Sequence, residues 1–138
     1  MELSKTHRAY FAAAKAVSKM SDFPRVAVGA VAVCGHRIIS SGYNSCKSAP
    51  IQKKYNKYRF SEDTPASIHA EVMALKGLMN RSDIDFKNVS LYVYRECKNG
   101  NTALSRPCPS CMQLITDLGI RHIYYTNNGG FSHEEIFH

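Results

Sequence analysis

The stretch PASIHAEVMALKGLM, Pro65 to Met79, opens on an imidazole and a carboxylate, His69 and Glu71, and then runs into apolar residues at helical spacing. Val72, Leu75 and Met79 recur three and four places apart, so the spacing predicts a helix over Ile68–Asn80 with those three on its buried stripe. Two polar groups at the mouth of a buried helix ask for a chemical reason, and the surrounding sequence supplies the frame for one.

Downstream, NVSLYVYR (Asn88–Arg95) reads as a strand and ECKNGNTALSR as a turn-rich connection. PSCMQLITDLG (Pro109–Gly119) reads as a second helix closed by glycine, and IRHIYYT as a further strand. Upstream, residues 3–20 place Leu3, His7, Tyr10, Phe11, Ala14 and Val17 on one helical face, with Ser4 as the candidate cap. Pro24 in SDFP stops that helix. RVAVGAVAVCG (Arg25–Gly35) and HRIISSGYN (His36–Asn44) then form a hairpin. Residues 45–66 are polar, basic and aromatic and predict a long loop of the kind that carries function. Alternating helices and strands predict an α/β three-layer α-β-α sandwich around one sheet, with residues 1–138 as a single domain.

Apolar residues at 44% and charged residues at 21% are ordinary for a globular chain, and nothing approaches the roughly 18 apolar residues of a membrane span. Residues 1–20 start like an export signal, but Lys15 and Lys19 interrupt the apolar part, so a folded helix in a cytoplasmic protein is expected. Five cysteines cannot all pair, which points to reduced thiols and to metal or catalysis for the close pair. The net charge of +7 suits an anionic partner without choosing between a nucleotide and a nucleic acid.

That close pair is Cys108 and Cys111 in RPCPSCMQLI, with Pro109 at the first helical position. A Cys-x-x-Cys at a helix start can offer both sulfurs to one ion, and the helix terminus favours the thiolate. His69 adds a third ligand if the two helices lie side by side. One imidazole and two thiolates leave a tetrahedral Zn²⁺ with one open position, as in a catalytic centre. Glu71 can reach that position as a general base and acid.

His69-Ala70-Glu71 followed by Pro107-Cys108-Pro109-Ser110-Cys111 resembles the H-x-E…P-C-x-x-C signature of zinc nucleobase deaminases. Along roughly residues 5–126 the chain resembles the cytidine and deoxycytidylate deaminase superfamily. VGAVAV (Val28–Val33) with SGYN (Ser41–Asn44) is similar to the deoxycytidylate branch. The resemblance implies a mixed sheet of four to five strands flanked by helices, and cytosine-to-uracil hydrolysis at a zinc-bound hydroxide. It implies a small pyrimidine nucleotide as substrate; a homo-oligomer is the expected assembly. It assigns Asn44 to the sugar, and the backbone amides of Ala70 and Cys108 to the base and the tetrahedral centre. Val28 falls at the substrate wall, and Arg25 and Lys47, on either side of the hairpin, are expected at a phosphate. ECKNGNTALSR lengthens the path from strand to Pro-Cys and is expected to reshape the pocket wall. Twelve residues after Thr126 leave little room for the parallel fifth strand and last helix of many relatives.

Two other readings use the same residues. QKKYNKYRF (Gln52–Phe60) interleaves cations and rings and reads as a solvated loop covering the sheet edge, as a lid over a nucleotide phosphate, or as a groove for single strands. The basic charge and the shared metal centre make a deaminase acting on cytosine or adenine in single-stranded DNA or RNA the main alternative. A zinc-stabilised interaction module would need a fourth protein ligand, for which Cys97 is nearest in sequence; Cys46 is a candidate for a second zinc. Cys34 reads as packing, and His7, His36, His122, His133 and His138 as ordinary core or surface residues.

Overall fold

The computed structural model describes residues 3–22, 26–45, 69–97 and 99–136. The elements are α1 (Lys5–Ser18), β1 (Val26–Cys34), β2 (Arg37–Tyr43), α2 (Ala70–Lys76), β3 (Val89–Cys97), α3 (Pro109–Leu118), β4 (His122–Asn127) and β5 (Gly130–Glu135). A 3₁₀ turn, Phe86–Asn88, precedes β3. The sheet order is β2-β1-β3-β4-β5. Only β3 and β4 run parallel; the other neighbours are antiparallel, so the sheet is mixed.

Each strand sends alternate side chains to opposite faces. Val31, Val33, Tyr92 and Tyr94 face α1 and enclose Phe11 and Ala14. Ala30, Ala32, Val89, Leu91, Val93, Ile123 and Tyr125 face α2 and α3, which contribute Val72, Leu75, Cys111, Leu114 and Ile115. Helices on both faces make the predicted three-layer sandwich. Ser4 caps α1 as expected, its hydroxyl accepting from the His7 amide at 3.2 Å. The β1–β2 hairpin turns on Gly35 and His36, both at positive φ (58° and 63°), the conformation that matches the twist of paired strands.

Three expectations need correction or placement. α2 is shorter than predicted, and Met79 is 36% exposed while Leu78 is 1% exposed. After Lys76 the backbone tightens to i→i+3 bonds, Leu78 N to Leu75 O among them, and this change of phase turns Leu78 inward in place of Met79. The fifth strand exists but is antiparallel: Asn128 and Gly129 (φ 92°) close a hairpin, whereas a parallel partner needs a crossover of a dozen or more residues. The loop predicted over 45–66, with QKKYNKYRF, Cys46 and Lys47, lies outside the described residues apart from Ser45, as do Arg25 and His138.

Two glycines set how closely the helices approach the sheet. A Cβ at Gly29 would collide with the Ala14 carbonyl in α1, and one at Gly42 with the Ala70 carbonyl and the Ala74 amide in α2. Both obstacles are backbone and cannot swing away. Gly42→Ala is expected to lower unfolding free energy by about 1–3 kcal/mol in urea denaturation, the range for overpacking. Gly77→Ala, whose Cβ meets only Ser40 Oγ at 3.8 Å, should change it far less. Equal effects would remove the close approach as the cause.

Candidate zinc centre

His69 and Cys108 are the N-cap residues of α2 and α3, with extended backbones (ψ 155° and 168°). Neither side chain caps its own helix, so both turn across to the neighbouring element. His69 Nδ1 stands 3.2 Å from Cys111 Sγ and 3.6 Å from Cys108 Sγ. All three ligand atoms lie within 4.8 Å of one another. With Zn–N near 2.0–2.1 Å and Zn–S near 2.3 Å, tetrahedral geometry requires N···S of about 3.6 Å. The donors therefore fit zinc without rearrangement of the backbone. Cys97 is not in the group, which among the described residues contains three donors and leaves a fourth position open.

The two sulfurs are not equivalent. Hydrogen bonds from Cys111, His69 and Ser110 favour the Cys108 thiolate and bring its pKa down to about 3 against the burial that opposes them. Cys111, fully buried, is pushed up by its bond to Cys108, by burial and by the Glu71 charge. Of the two, Cys108 is the sulfur whose surroundings favour the thiolate that binds a metal ion. Glu71 is 6% exposed, in the first turn of α2. Burial raises its pKa, opposed first by the His69 charge, and Cys111 hydrogen-bonds to it.

Two sets of contacts hold the Cys108 loop. The segment before it folds back between the ends of β3 and β4, with Ala103 N bonded to Arg95 O at 3.1 Å and Ser105 N to Thr126 O at 2.9 Å. The buried Ser105 hydroxyl donates to Val93 O at 2.9 Å and accepts from Thr126 N at 2.8 Å. The insertion expected to reshape the wall is in effect a splice between parallel strands. Next to Cys108, Arg106 makes a two-pronged bond to Glu134 of β5 (2.6 and 3.2 Å), and Tyr125 OH donates to the same carboxylate at 2.7 Å. The Arg106 hydrogen bond holds the Glu134 carboxyl below its ordinary range.

Other predicted residues fare differently. Ala70 is fully buried, so only its backbone amide can serve a ligand. Val28, Cys34 and Cys108 are partly buried and pack against the core that includes Cys111. Asn44 has a structural task that its sequence position did not reveal. Its Oδ1 accepts from Val28 N at 2.9 Å and its Nδ2 donates to Val26 O at 3.0 Å, continuing the β1–β2 pairing through a side chain. One N–H and one lone pair of the amide remain.

Ser110 and Arg95 went unassigned in the sequence. Ser110 is fully buried with its hydroxyl 3.0 Å from Cys108 Sγ, and a buried hydroxyl inside the Cys-x-x-Cys was its only signal. Arg95 interrupts the apolar series Val89, Leu91, Val93 on one strand face, which is a readable anomaly.

The family model described as the cytidine and deoxycytidylate deaminase zinc-binding region matches residues 4–127, and the chain belongs to that family. It is accordingly a zinc-dependent deaminase, a hydrolase, and zinc is its cofactor. Among solved structures it is similar to the dCMP deaminase from cyanophage S-TIM5, in apo form, with 26% identity, a TM-score of 0.64, and 92% of this chain and 86% of that chain covered. It also shares the fold of the cytidine deaminase from Burkholderia pseudomallei, with 20% identity, a TM-score of 0.66, and 94% and 91% covered. No curated protein shows a significant match to the sequence. No helix among the described residues is long and apolar enough to cross a membrane.

Removing the Ser110 donor should weaken zinc binding. Ser110→Ala is expected to lose about 10-fold or more in affinity, the lower end for partners of metal ligands, and Ser110→Thr to retain most of it. Competition with a chromogenic chelator reads both; unchanged affinity in the alanine variant would deny the hydroxyl any part in holding Cys108.

Proposed function

We propose that the protein hydrolyses the exocyclic amine of a cytosine base, giving uracil and ammonia, and that its substrate is a small pyrimidine nucleotide of the deoxycytidylate type. The observation that carries this reading is the Glu71 carboxyl, buried against the three metal donors with a raised pKa. A carboxyl whose proton is held more firmly than usual can take a proton and return it. Zinc bound by His69, Cys108 and Cys111 supplies Lewis acidity that brings water towards ionisation at neutral pH.

Glu71 accepts a proton from the attacking water and hands it to the ring nitrogen. A second transfer goes to the departing amine, so that a C–O bond replaces the C–N bond. The two water protons end on the ring nitrogen and on ammonia. The amides of Ala70 and Cys108 hold the base and its developing charge, and the remaining N–H of Asn44 reaches the sugar. Burial of Cys111 and Glu71 keeps bulk water from the reacting centre.

The similarity to a dCMP deaminase at 26% identity supports the deoxycytidylate choice. The +7 charge favours an anionic ligand and is also what a single-stranded polynucleotide would require. Ammonia release from deoxycytidylate, cytidine, deoxycytidine and a cytosine-containing single strand separates these. Turnover of the nucleotide with none of the strand is expected; the reverse would transfer the activity to nucleic acid. Glu71→Gln should retain zinc by elemental analysis and lose turnover by about 10²–10⁴, the contribution of a proton-transfer group. Near-normal turnover would take Glu71 out of the chemistry.

A further inference from the structure

Arg95 ends an apolar series. Val89, Leu91 and Val93 are buried between the sheet and α2 and α3, and the two-residue period of a strand puts Arg95 next on that face. Its partner across on β1 is Val28, which packs against the same core that includes Cys111 and whose amide Asn44 holds. Its own carbonyl and amide are fixed by Ala103 N and Thr126 Oγ1, where the loop to Cys108 leaves the sheet. The residue thus stands at the carboxyl ends of the parallel pair β3 and β4, the edge where open α/β sheets receive ligands.

Its guanidinium is poorly satisfied there. Nη1 donates to Leu104 O at 3.2 Å, and Nε is buried with no acceptor. The ion pairs among the described residues join Arg81 to Asp83 and Arg106 to Glu134, and neither involves Arg95. Buried N–H groups without acceptors are rare in folded proteins, and a guanidinium carries five donors in a planar fork. A neutral carbonyl of a base could accept one bond but would not answer the charge. A phosphate does both, since its oxygens match the fork in pairs.

We propose that Arg95 is a specificity-determining residue that recognises the phosphate of the nucleotide substrate, from the face of β3 that also carries the walls of the zinc centre. The inference rests on the nucleotide reading above and adds a residue that selects the monophosphate over the nucleoside. Leu104 O fixes one arm of the fork and leaves the other to turn to the ligand.

The test compares deoxycytidylate with deoxycytidine in wild type, Arg95→Ala, Arg95→Gln and Arg95→Lys, all zinc-loaded. Arg95→Ala is expected to lose about 100-fold in kcat/KM on the nucleotide, as a charge-assisted paired contact would, with deoxycytidine little changed. Arg95→Gln keeps a donor for Leu104 O without the charge and should behave like alanine even if alanine disturbs folding. Arg95→Lys restores charge without the fork and should recover part of the loss. Equal losses on both substrates, or none on the nucleotide, overturn the proposal and leave the functional reading standing. Should wild type deaminate neither, that reading falls by itself. Calorimetry of deoxyuridylate against deoxyuridine then decides: equal affinity of wild type and Arg95→Gln for deoxyuridylate overturns the role of Arg95.

Discussion

The burial of one carboxylate is the constraint around which this molecule is arranged. Taking an ion of that size out of water costs several kcal/mol unless neighbours of opposite charge or good donors answer it. Glu71 sits in the first turn of a seven-residue helix, enclosed beside an imidazole and two sulfurs. That helix is too short to hold itself together in water, so packing must fix it. Gly42 is what permits the packing, because a side chain there would meet the helix backbone. The Ser40 hydroxyl bonded to Ala74 O and the Tyr43 amide bonded to Met73 Sδ tie the same helix to β2. A divalent cation bound beside Glu71 would add the opposite charge that the carboxylate lacks.

The second half of the centre is fixed from the other edge of the sheet. Cys108 arrives on a loop that would otherwise be free, and two devices hold it. The Ser105–Thr126 exchange closes the gap that opens between parallel strands once their pairing ends after Val93 and Tyr125. Glu134 on β5 then takes Arg106 and Tyr125 together. Such a half-exposed ion pair contributes little to stability alone. Its consequence is positional, since it fixes the residue two places before a metal ligand. The antiparallel fifth strand is therefore part of how the zinc centre is built, as well as an edge of the sheet.

Much of this was legible before any coordinates. The elements follow from periodicity, the α1 cap from Ser4, and the tight hairpin from the alternating strands around Gly35 and His36. The metal donors were readable because their chemistry is a property of residue type and local spacing. A Cys-x-x-Cys with proline at the first helical position presents both sulfurs to one point whatever surrounds it. His69 needed one further assumption, that two helix starts meet. The separations in the structure bear that assumption out.

What lay beyond the sequence was every matter that depends on which polar group meets which across long separations. Asn44 carries the same amide whether it holds a sugar or bridges Val26 and Val28, and only the fold puts those two backbone groups within its reach. Met79 and Leu78 are both apolar and adjacent, so the choice between them turned on a local tightening after Lys76. Arg95 and Ser110 acquired meaning from a strand register and a burial that no window of residues contains. The sequence by itself determined the chemistry of the centre, because ligand identity and helical spacing are local. The tertiary structure decided how that centre is braced, because hydrogen-bond partners are set by distance in space.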